Sequence, residues 1–297
     1  MSIEQEIRRR EKLWKQIRNE YDDLENLERK RLNQLKIYFG GSGVWVDKKD
    51  STGEISSDRN GVTVGLLHTG RHYADDLSRE GIIYHYPKTN RTGHRDQNEI
   101  AATKNAKRLD IPVFVILPGK KIDTRCLKIG WITDWSDEEE IFHIKFGEFG
   151  ESHHLVKKFE PPFQLQQKRE KIKTTTTKTR PHQEEFRFNI LKKYGSKCAV
   201  CEIRHKELIH AAHIRGIDDN GSDHVGNGIP LCGTHHLAFD KHFFCFKSEN
   251  NEIIMQSDIN RSSIAITEST LNTKNHVMPH KDAINWKEKR TKEVWKQ

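Results

Sequence analysis

CAVC at residues 198–201, LIHAAHI at 208–214 and GNGIPLCGTHHLAFD at 226–240 are the stretches whose reading decides the fold of this chain. Cys198 and Cys201 stand as Cys-x-x-Cys, and Cys232 and His235 follow as Cys-x-x-His. Two such pairs suit a tetrahedral zinc, because each turns through a tight knuckle and offers both soft ligands to one ion. The four are expected to hold one structural zinc. His213, Asn227, His236 and Asp240 lie between and beside the pairs, and a structural knuckle does not require them. A zinc ribbon with incidental histidines is the plainer alternative. Asp240 lies four residues beyond His236, on the same face of a helix, so both would reach one ion.

The order His213, Asn227, His236 resembles an HNH endonuclease, with AAHI, NGIPLC and HHLAFD in the family's order over about residues 186–260. The resemblance implies a ββα-metal fold, in which a β-hairpin and a helix grip one divalent cation. It makes His213 the general base, Asn227 the holder of the loop that orients it, and His236 a ligand of the catalytic metal, with Asp240 beside it. That chemistry is sound, because a neutral imidazole titrates near neutral pH and a divalent metal stabilises charge developing on a phosphodiester. Many relatives carry Asp or His directly before the base, and here that position is Ala212. His210, two residues upstream and on the same face of a strand, is a substitute ligand for that position.

The chain has 297 residues, room for two domains and connecting material. A formal charge of +8, with 32% charged residues, suits an anionic partner, nucleic acid first among them. Five cysteines, four of them in or near the proposed metal site, argue against a disulfide framework and for a reducing interior. Charged residues follow Met1, and no apolar run is long enough for a signal peptide or membrane span, so a cytoplasmic protein without membrane contact is expected.

Residues 3–37 read as one helix, free of Gly and Pro. Ile7, Trp14, Ile17, Tyr21 and Leu24 form an apolar seam, broken by Arg10, Glu28 and Arg31. Packing onto its own domain and joining a homodimer are both open to such a helix. From Val44 to Phe163 the pattern changes to short β-rich runs, VTVGLL (62–67), GIIYHY (81–86), PVFVIL (112–117), IGWIT (129–133) and IFHIKF (141–146), with one helix at 97–109. Several strands around few helices predict a barrel-like α+β domain.

RHYADDLSREGIIYHYPKT (71–89) and DQNEIAATKNAKRLDIPVFVI (96–116) resemble an SRA domain, the reader of modified cytosine, over about residues 38–160. The resemblance implies an SRA/PUA-like β-barrel that flips the cytosine out of the duplex. Tyr73 and Tyr86 would then be the stacking rings and Asp76 the acid reading the base edge. Asp76 to Tyr86 is one residue longer than the family's spacing, and Pro87 stands where Thr often follows. The plainer alternative makes both tyrosines half-buried core aromatics and Asp76 a turn residue.

Residues 164–185 then read as a linker, with six basic side chains against the single Glu170 over 168–180. The expected division is an N-terminal helix at 1–39, a modified-cytosine reader at 40–163, the linker at 164–185 and a nuclease domain at 186–297. The function expected is a modification-dependent endonuclease acting on double-stranded DNA that carries 5-methyl- or 5-hydroxymethylcytosine. It would use structural zinc and a catalytic magnesium, manganese or other divalent cation. The alternatives are a nuclease with a sequence-reading front domain and a binding module without catalysis.

Overall fold

A computed structural model describes residues 1–39, 43–48, 55–68, 76–89, 93–149, 162–167 and 182–296. The chain divides into two compact units, Met1–Lys157 and Lys158–Gln297. Among the described residues no helix is long and apolar enough to cross a membrane.

The first unit is built on one sheet. Its strands are β1 (Leu27–Glu28), β2 (Val44–Val46), β3 (Thr63–Leu67), β4 (Gly81–His85), β5 (Val113–Pro118), β6 (Thr124–Ser136) and β7 (Ile141–Phe146). They lie in the order β2-β3-β5-β6-β7-β4, with β1 pairing the start of β6. Only β3 and β5 run parallel among these neighbours. Among the described residues three helices join them: α1 (Ile3–Glu20), α2 (Arg29–Gln34) and α3 (Arg95–Arg108).

The expected barrel is corrected by this topology. Among the described residues the sheet is an open path with no ladder between β2 and β4. The reason lies in the side chains of β5. Val113, Val115 and Leu117 join one core, with Leu66, Phe142, Ile144 and Ala106 of α3. Phe114 and Ile116 point the other way, into a second core with Trp14 and Ile17 of α1, Leu32 of α2 and Ile129 of β6. A sheet buried on both faces satisfies its apolar residues without closing on itself.

The single helix expected over 3–37 is also corrected. Its start is firm, since Ser2 Oγ accepts from the Gln5 amide at 3.2 Å while Ser2 N donates to Gln5 Oε1 at 2.8 Å. It ends at Glu20, with Tyr21 extended. Beyond it, Asp23 accepts from the Glu25 amide at 2.8 Å, a local turn that competes with helix. The backbone then joins the sheet, where Leu127 N donates to Leu24 O at 2.9 Å and Leu27 pairs with Arg125. Trp14 and Ile17 of the seam are 5% and 0% exposed within this unit, so that face is not available to a second copy. Arg10, which interrupts the seam, is wholly buried. It meets Glu6 at 2.8 Å and donates to the carbonyls of Thr63 and Pro112 at 2.7 and 2.6 Å. Paired and hydrogen-bonded in this way, a buried charge is tolerated.

The second unit contains α4 (Gln183–Tyr194), a hairpin of β8 (Ile209–His213) and β9 (Gly228–Cys232), α5 (Gly233–Asp240), a second hairpin of β10 (Phe244–Phe246) and β11 (Ile253–Met255), and α6 (Lys281–Val294). Phe186, Ile190 and Tyr194 recur every four residues along α4 and form a core with Val225. Of the expected linker, residues 164–167 and 182–185 belong to this unit's described structure, and 168–181 lie outside the described residues.

Candidate functional site

The two Cys knuckles close on one point. Cys198, Cys201, Cys232 and His235 are buried, and one ligand atom from each lies within 4.8 Å of all the others. The His235 Nε2–H donates to the Ile264 carbonyl at 2.8 Å, which turns Nδ1 towards the cysteines, 3.1 Å from Cys232 Sγ and 3.5 Å from Cys198 Sγ. A histidine ligand is fixed in this way by the bond its other nitrogen makes. The knuckle's backbone is tied down on two sides, with Ala199 N on Pro230 O at 2.9 Å and Thr267 N on Val200 O at 3.1 Å. The hydrogen bond with Cys198 holds the Cys232 thiol down to about 3, and the same contact pushes Cys198 up. Burial pushes Cys201 up. An ion entering this donor set displaces the protons that the thiols hold. Three thiols, one correctly turned imidazole and full burial fit a metal site.

His213 ends β8, opposite Gly228 of β9. Its ring stacks on Phe186 of α4 at 3.9 Å and 10°. Gly228 makes room for that ring, because a Cβ there would lie 2.5 Å from atoms of both Phe186 and Ile190. His213 Nε2 is 2.9 Å from Asp223 Oδ1, and since a carboxylate only accepts, Nε2 carries the hydrogen and Nδ1 is left as the ring's acceptor. Asn227 is wholly buried and cross-braces the loop behind the histidine. Its Oδ1 accepts from Arg215 N at 2.9 Å, and its Nδ2 donates to the carbonyls of Arg215 and Ser222 at 3.1 and 2.8 Å. Arg187 of α4 braces the other end of β8 by donating to the Ile209 carbonyl.

His236, on α5, meets two partners on opposite ring edges. Its Nδ1 faces Nδ1 of His210 at 3.1 Å, and its Nε2 faces Asp240 Oδ2 at 3.5 Å. Ala212, where relatives of this pattern have a ligand, is buried and offers no donor. The pairs do not converge as three ligands: among the described residues, the cysteine site is the group of that kind. Two imidazole nitrogens 3.1 Å apart match neighbouring ligands on one ion with metal–nitrogen bonds of about 2.0–2.1 Å.

In the first unit, Tyr73 lies outside the described residues. Asp76 is 1% exposed, with Oδ2 2.9 Å from His85 Nε2. Ile82, Tyr84 and Tyr86 alternate into the core, where the Tyr86 ring meets Phe142 at 4.5 Å and its hydroxyl donates to Asp137 at 2.9 Å. Burial, together with Asp137, pushes the Tyr86 hydroxyl far up. Asp223 and His85 were not among the expected site residues. The one signal for Asp223 is an acid in the loop DDNGSDH (218–224) between base and Asn.

Residues 198–247 match the family described as HNH endonuclease. No curated protein matches the chain. Among solved structures, a modification-dependent TagI restriction endonuclease is similar at 15% identity and a TM-score of 0.33, over 89% of this chain and 90% of that one. The SUVH5 SRA domain bound to fully hydroxymethylated CG DNA is similar at 22% identity and a TM-score of 0.28, over 42% of this chain and 86% of that one. The chain carries an HNH endonuclease domain over residues 198–247, and that domain makes it a nuclease.

Proposed function

We propose that the chain is a modification-dependent DNA endonuclease, in which the first unit binds duplexes carrying 5-methyl- or 5-hydroxymethylcytosine and the HNH domain hydrolyses the phosphodiester. The observation that carries the nuclease half is the His213–Asp223 pair, at 2.9 Å, beside the braced Asn227. His213 Nδ1 takes the proton of the attacking water, and Asp223 holds the ring and stabilises the imidazolium that forms. Asn227 keeps the 214–227 loop in place. His236 and His210 would hold a magnesium, manganese or similar cation, which when bound supplies charge stabilisation at the phosphodiester. Asp240, on the far edge of the His236 ring, orients that ligand and does not share the ion with it. Zinc is the ion we assign to Cys198, Cys201, Cys232 and His235, whose three thiolates and one imidazole suit it.

The reader half rests on the SRA-like residues of 71–116 and on the buried Asp76–His85 pair. Flipping a base costs a few kcal/mol in lost stacking and pairing, and a fitted pocket has to offset it. Asp76 would accept the exocyclic amine of the flipped cytosine. We assign His85, not Tyr86, as the ring beside that acid, because Tyr86 is committed to the core. A charge-assisted hydrogen bond contributes about 1.5–3 kcal/mol, so Asp76→Asn is expected to cut the preference for modified over unmodified duplex by about tenfold or more. Fluorescence anisotropy on matched duplexes at physiological salt measures it. A wild type that binds both duplexes equally would remove the reader from this account.

A further inference from the structure

Residues 162–167 stand well before the segment that matches the HNH family, yet they are bonded to its catalytic loop. Gln166 bridges Gly221, and Ser222 N donates to Leu165 O at 3.2 Å. Ser222 Oγ donates to the Gln164 carbonyl. Gln167 N donates to Asn220 O at 3.0 Å, and its side-chain Oε1 accepts from Asp223 N at 3.2 Å. With its amide oxygen towards Arg215, Gln166 accepts from both guanidinium nitrogens at 2.8 and 3.0 Å. Phe163 stacks on His280 at 3.7 Å and 12°. Its ring also lies against Gly226, where a Cβ would come within 3.0 Å of it.

The residues held are those that hold the site. The Ser222 carbonyl is one of the two that fix the Asn227 amide, at 2.8 Å, and the Asp223 carboxylate is the partner of His213. Gly226 directly precedes Asn227. A segment serving only as a spacer needs none of these bonds.

We propose that residues 163–167 are a positioning strap of the nuclease site. The strap holds the 214–227 loop, and through Asp223 and Ser222 it keeps His213 and Asn227 in register for proton transfer. It rests on the HNH reading of His213. The functional nuclease module then begins at Phe163, upstream of both the CAVC knuckle and α4. The strap contributes no ligand to the cysteine site and acts on His213 through the loop, so its effect falls on the rate of the chemical step.

The test uses the full chain, the duplex that wild type cuts, and single-turnover rates for Gln167→Ala, Asp223→Asn and the double variant. A small displacement of a catalytic group costs one to two orders of magnitude in rate, so Gln167→Ala should slow cleavage on the order of tenfold. DNA affinity and metal content should not change. Because Gln167 acts through Asp223, the double variant should cut no more slowly than Asp223→Asn alone. A Gln167→Ala chain that cuts at the wild-type rate, effects that simply add, or a slowing that tracks lost DNA or metal binding would each overturn the strap while the nuclease stands. A wild type that cuts no DNA with magnesium, manganese or nickel would remove the nuclease reading and the strap with it.

Discussion

His213→Ala is expected to slow DNA cleavage by about 10²–10⁴-fold, the usual contribution of a general base. The loss should fall on the chemical step alone. His213 ends a strand whose other contacts do not depend on its ring: Ala212 remains in the core, and Ile209 O remains bonded to Arg187. What the fold gives up is one ring stack on Phe186, at 3.9 Å, worth about 1 kcal/mol. Asp223 keeps a side chain 21% exposed, so water replaces the lost partner. Single-turnover rates and equilibrium binding on the same duplex separate the two effects. Cleavage at the wild-type rate would show that another group removes the proton from water.

The second large effect concerns the cysteine site. Cys198→Ser or Cys232→Ser should lose one equivalent of zinc and unfold the second unit at ordinary temperature. Structural zinc contributes roughly 10–16 kcal/mol of apparent folding free energy at neutral pH in small domains, more than most domains have to spare. The wiring here makes the dependence direct. The knuckle holds Pro230 of the catalytic hairpin on one side and Thr267 on the other, and His235 holds Ile264. His236→Ala, one residue along α5, should keep that equivalent and lose activity. Metal content by mass spectrometry and thermal melts with and without chelator distinguish the variants. An unchanged zinc equivalent in both cysteine variants would dismantle the four-ligand assignment.

Local chemistry was legible in the sequence, and closure over distance was not. The Cys-x-x-Cys and Cys-x-x-His pairs are short enough for spacing alone to aim their ligands, and all four converge. The helical spacing of His236 and Asp240 puts them on one face, 3.5 Å apart. Spacing does not say which ring edge faces which partner, and the structure puts His210 on the other edge from Asp240. Asp223 reaches His213 only because the 214–227 loop folds back, and no periodicity encodes that return. The break after Glu20 was hidden because residues 21–37 have good helical composition, whereas the backbone of Leu24 and Leu27 is used by the sheet. The unbroken apolar run of β5 is readable as a strand buried on both faces, but whether those faces bury against helices or around a barrel depends on contacts far apart in sequence.

The most direct test of the central claim is cleavage by the full chain, with magnesium, manganese or nickel, of plasmids identical except for their cytosines: unmodified, 5-methylated, 5-hydroxymethylated and glucosylated. The account predicts metal-dependent cutting of methylated or hydroxymethylated DNA, with the unmodified plasmid spared. Equal cutting of all four, or no cutting of any, would contradict it.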